Sequence, residues 1–121
     1  MVVTIGAGVV TAAEVLESEC SLLTEPGFEI SFNQLVDFGQ ATKLISTGSD
    51  MKYLADIAPW GDGSRRAAVM PDKNIFGLAR MYEVYNERNG SDWHVFKTME
   101  EALAWLGEGD HSKAVADKVM L

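Results

Sequence analysis

The chain has 121 residues, 47% of them hydrophobic and 23% charged, the size and make-up of one globular domain. Its 18 acidic side chains outnumber 10 basic ones, for a formal net charge of −8, which excludes non-specific nucleic-acid binding and docking on anionic lipid, since both need a basic surface. A single cysteine, Cys20, excludes an internal disulfide, and no apolar run approaches membrane-spanning length. The start, MVVTIGAGVV, has no basic residue and carries Thr4 and glycines inside its apolar run. No secretory signal and no membrane insertion are expected, and the chain reads as cytoplasmic.

Val2 to Val10 is apolar and β-branched but broken by Gly6 and Gly8, which predicts strand, turn, strand: an opening hairpin. Thr11-Ala-Ala-Glu14 is a capping box, each end able to bond the other's backbone amide. The helix it opens is expected to bury Ala12, Val15, Leu16, Cys20 and Leu23 on one stripe, with Cys20 a small buried hydrophobe, and to stop at Pro26-Gly27. Phe28-Glu-Ile-Ser-Phe32 alternates as a half-buried strand does, and Leu35-Val36 and Asp37-Phe38-Gly39 follow. Ser49-Asp50 signals a short helix that turns Met51, Leu54, Ala55 and Ala58 inward, and Pro59 to Gly63 is a loop.

Ala67 to Met70 is a short continuous apolar run, as in strands covered on both faces. Ile75 to Arg88 is the longest expected helix, with Ile75, Leu78, Ala79, Tyr82 and Tyr85 on its core stripe and Asn89-Gly90 at its end. Trp93 to Phe96 is the last strand, and Thr98-Met-Glu-Glu101 is a second capping box before a helix burying Met99, Ala102, Leu103 and Leu106. Strands alternating with helices imply an α/β layer whose sheet is at least partly parallel. The domain is expected over residues 1–107, with 108–121 a tail that is a docked helix, a dimer contact or disordered.

Motifs for chemistry are sparse. Two histidines, His94 and His111, and one cysteine do not make a metal site, and no nucleophile elbow is present. Asp37, at a strand end, reads first as a turn cap and only then as a functional carboxylate with Asp50 or Asp56 as partner. Gly61 to Arg66, GDGSRR, lacks the glycine-lysine-serine ending of a phosphate loop, and Arg65 and Arg66 read as a solvated edge pair ahead of an anion site. Arg80 is the most suggestive polar residue, either paired with Glu83 on the surface or facing a cleft to hold an anionic group. Gly77 costs its helix roughly 1 kcal/mol relative to alanine, which suggests a close neighbour there. No catalytic residue, metal or cofactor is expected.

The stretches GVVTAAEV, LVDF, RAAVMPDKNIFGLARMYE and VFKTMEEALAWL occur in this order. Together, over roughly residues 3–107, they resemble the small SpoIIAA-like (STAS/Sec14-type) single-domain proteins of bacteria. The resemblance implies an α/β fold with a four- to five-stranded mixed sheet and helices mainly on one face, and no catalytic activity. It also implies a phospho-switch region at DFGQATKLISTGSD, although the Asp-Ser-Ser type signature is missing there.

Two functions follow as expectations. The first is a non-enzymatic regulatory module that contacts a protein partner around loop 46–50 and the next helix, through Ser49 and Asp50. The second is a carrier of a small apolar or anionic ligand, with Phe76, Met81 and Tyr82 lining a pocket beside Gly77 and Arg80 holding the head group. Self-association as a homodimer, through Trp60, Trp105 or the tail, accompanies either.

Overall fold

Side-chain caps set the helix starts. Thr11 and Thr47 each accept a hydrogen bond from the amide three residues on, while Glu14 and Asp50 reach back to the cap backbone. Asp72 and Thr98 cap the other two helices. The computed structural model describes residues 1–107 and, as backbone, 116–120. In chain order the elements are β1 (Val2–Thr11), α1 (Ala12–Leu22), β2 (Gln34–Ile45), α2 (Gly48–Ile57), β3 (Arg65–Val69), α3 (Lys73–Arg88), β4 (Asp92–Phe96), α4 (Met99–Leu106) and β5 (Ala116–Met120).

The strands lie in the order β4-β3-β2-β1-β5, and every neighbouring pair is parallel. The expected mixed sheet is therefore corrected to an all-parallel one. Its reason is the spacing: each pair of successive strands is separated by a helix, which lets the chain cross back and run the same way again. The steps β1 to β2, β2 to β3 and β3 to β4 all move in one direction, and the step to β5 returns past them. Right-handed crossovers then place α1, α2 and α3 on one face and α4 on the other. The core divides accordingly. Val36, Phe38, Ala68, Met70 and Trp93 meet α1–α3, whereas Val3, Leu35, Ala67 and Val69 meet α4.

Three further expectations need correction. The opening hairpin is a single strand, β1, paired with β2 from Val2 to Thr11. Its glycines serve pairing irregularities instead of a reversal: Gly8 has φ +63°, and a Cβ on Gly6 would lie 2.5 Å from the Phe38 ring. Phe28 to Phe32 is not a strand but two turns, and its alternation reflects Phe28 stacking edge-on against Phe32 and Trp60. Cys20 and Leu23 are exposed, because the buried side of α1 carries Ser18 and Leu22 instead. Residues 116–120 form β5 beside β1, and residues 108–115 and 121, with His111, lie outside the described residues.

β3 stops opposite Asp37, and β5 reaches only as far as Ile5. Among the described residues, β1 and β2 therefore run on as a two-stranded ribbon carrying exposed Val9 and Ile45.

Candidate functional site

Beneath α1–α3 lies a cavity of about 60 Å³ that reaches solvent. Val15 from α1, Val36, Phe38 and Leu44 from β2, Met51 and Leu54 from α2, and Ala79 and Tyr82 from α3 form its walls, with Glu19, Met70 and Trp93 completing the lining. Side-chain direction explains the set. Alternation along a strand sends Val36, Phe38, Met70 and Trp93 to the same face, and helical spacing turns Val15 and Glu19 inward together.

Toward the amino ends of the strands the apolar walls give way to a buried polar cluster. Arg66 is completely buried, and cross-strand pairing sets it between Gln34 and Trp93. Its Nη2 donates to Asn86 Oδ1 at 2.6 Å and to Ser91 Oγ at 2.7 Å. Its guanidinium lies 5.8 Å from the centre of the Trp60 ring, within cation–π range. Trp60 in turn donates from Nε1 to Glu19 Oε2 at 2.9 Å, and Gln34 Nε2 donates to Thr4 Oγ1. Arg66 Nε and Nη1 and Gln34 Oε1 are buried without a hydrogen-bond partner among the described residues.

A buried guanidinium keeps its charge, so the fold must compensate it. Glu19 is the carboxylate placed to do so. Burial dominates its titration and raises its pKa above the ordinary carboxylate range. The Trp60 hydrogen bond, the attraction of Arg66 and the Gln34 hydrogen bond pull it back in that order. The Tyr82 hydroxyl is likewise raised by burial, against the opposing pull of Arg66, and stays neutral.

The residues singled out in the sequence do not converge on this cavity. Arg80 is exposed and donates to Glu83 at 2.6 Å, the surface pairing, and Glu83 also accepts from the Val95 amide at 2.8 Å and sits 3.6 Å from His94 Nδ1. Phe76 is half-buried under Lys97, and Met81 is largely exposed, with its Cε against Gly48. A Cβ added at Gly77 would meet nothing within 4 Å, so the close neighbour expected there is absent among the described residues. Asp50 is engaged in capping α2, with exposed Ser49 beside it. Asp37 caps the Gly39 amide and Asp56 pairs with Lys52. Of the carrier's expected residues, only Tyr82 lines the cavity.

Sequence reading missed Glu19, Gln34 and Asn86, and it set Arg66 on a solvated edge when the side chain is wholly enclosed. Arg66 did leave a signal: it alternates with Ala68 and Met70 and so shares their buried face. Glu19 falls on the inward side of α1 with Ala12, Val15 and Leu16. Its charge is what kept it off the apolar stripe.

Among the described residues no group of three or more acidic, histidine or cysteine side chains could hold a metal ion, and no helix is long and apolar enough to cross a membrane. No family model, curated protein or solved structure matches the chain.

Proposed function

We propose that the chain is a non-enzymatic, cytoplasmic binding module that works through protein contacts on its helical face, as the SpoIIAA-like resemblance suggests. One observation carries this reading. Among the described residues, six of the eight exposed large apolar side chains, Leu23, Ile30, Tyr53, Ile57, Met81 and Val84, belong to α1–α3 or the segments that follow them, and the other two, Val9 and Ile45, to the β1–β2 ribbon. Apolar side chains grouped on one side of a soluble domain mark contact surfaces. Three helices on one face also suit the SpoIIAA-like reading, whereas the all-parallel sheet departs from it.

The carrier reading has less support. Small-molecule sites usually occupy roughly 300–1,000 Å³, against about 60 Å³ here, and Arg80 is committed to Glu83. Native mass spectrometry of gently purified protein, paired with affinity capture by the wild type and by Tyr53→Asp/Ile57→Asp, separates the two. Protein partners held by the wild type and lost by the variant are expected. A small molecule retained in the native spectrum, with no partner sensitive to the variant, would overturn the proposal in favour of a carrier.

A further inference from the structure

We infer that the seam between α1 and α2 is a docking groove for a short cationic amphipathic segment of a partner protein, whose apolar anchor side chain enters the cavity. This inference rests on the protein-contact reading and specifies its partner. Two independent features define the groove.

The first is shape. α2 packs closely on α3, through Met81 against Gly48 and Asn89 to Asp56, but α1 touches α2 much less. The cavity lies under this looser seam, with Val15 and Glu19 of α1 and Met51 and Leu54 of α2 in its walls. Along α1 and its end, Leu16 and Leu23 flank the seam at helical spacing. On α2, Tyr53 and Ile57 lie away from the row that faces α3. A cavity of about 60 Å³ suits part of one side chain, not a whole ligand. Apolar anchors seated in such pockets are how helices read a groove.

The second feature is charge. Residues 1–42 hold Glu14, Glu17, Glu19, Glu25, Glu29 and Asp37 and no lysine or arginine. Glu14 is spent on its cap and Glu19 on Trp60, but Glu17, Glu25 and Glu29 are exposed, and no ion pair among the described residues holds them. A partner with lysine or arginine flanking its anchor meets this acidic side with complementary charge, and an acidic partner is repelled.

The test uses the full chain and fluorescently labelled synthetic peptides. One is an amphipathic leucine–lysine helix, one replaces its lysines by glutamates, and one scrambles its apolar positions. Anisotropy is read at several salt concentrations. The wild type is expected to bind the leucine–lysine peptide in preference to both controls. Glu17→Lys/Glu25→Lys, a surface exchange, is expected to weaken that binding about tenfold and to flatten its salt dependence. Ala79→Met, which fills the cavity, is expected to weaken it comparably; circular dichroism confirms its fold, and Met51→Leu reshapes the same wall if it fails.

Equal binding of the scrambled peptide, or loss with the charge exchange but none with cavity changes, would reduce the effect to plain charge attraction and overturn the groove. Captured partners that depend on Tyr53 and Ile57 but ignore Glu17 and Glu25 would remove this inference and leave the protein-contact reading standing. Partners indifferent to both would remove both.

Discussion

Arg66 and Arg80 sit on the same side of the sheet and differ in almost everything that matters. Arg66 is wholly enclosed at the amino end of β3, between Gln34 and Trp93, and its hydrogen bonds go to Asn86 and Ser91. Arg80 stands on the outer side of α3 with 59% of its side chain exposed, paired with Glu83. One charge organises a polar cluster inside the helical face, and the other decorates its surface. The contrast teaches that an arginine's role follows from its desolvation, because a screened pair contributes little and an enclosed cation constrains everything around it.

The sharpest way to break that contrast is to remove each arginine. Arg66→Ala strips the cation from its enclosed partners and is expected to cost about 3–5 kcal/mol, read as a loss in the urea midpoint. A cost no larger than that of Arg80→Ala would erase the distinction.

Titration sharpens the interior side. Glu19 has its pKa raised by burial, so the folded state holds its proton to a higher pH than the unfolded chain does. Stability from this group is complete below the unfolded value near 4.5 and is lost as pH rises through the higher folded value. Melting temperatures of wild type and Glu19→Gln across that range are expected to diverge, with the wild type falling relative to the variant as pH rises. Parallel curves would mean that Glu19 is not desolvated.

The exterior side yields smaller effects. Gly77 is exposed with open space around it, so Gly77→Ala is expected to stabilise α3 by about 1 kcal/mol, measured by thermal melting. A loss of stability there would reveal a contact that the helix flank does not display. Arg80→Ala is expected to cost no more than about 1 kcal/mol, a shift in chemical denaturation that high salt should shrink further.

Much of the fold was legible because local rules and tertiary packing agreed. The Thr11 and Thr98 caps, the inward stripes of α2, α3 and α4, and the doubly covered β3 follow from spacing and capping alone. The failures share one physical cause: a side chain doing something its type does not advertise. Glycines in β1 looked like a turn, yet Gly6 makes room for Phe38. Phe28 and Phe32 looked like strand alternation, yet Phe28 packs on Phe32 and on Trp60 across a loop. The candidate site was mostly hidden, because its key residues are charged ones facing inward. Glu19 and Arg66 are tolerated there only through partners distant along the chain: Trp60 lies 41 residues from Glu19, and Ser91 lies 25 from Arg66. No local window of sequence contains both ends of such a contact.

Glu83 has a consequence beyond its own ion pair. β4 is the outermost strand on its side of the sheet, and the outward amide of Val95 is already bonded to the Glu83 carboxylate. An incoming strand from another molecule must expel a charged group before it can zip onto this border. The domain thus carries a latch against runaway stacking, held by a residue that a survey of binding surfaces would pass over.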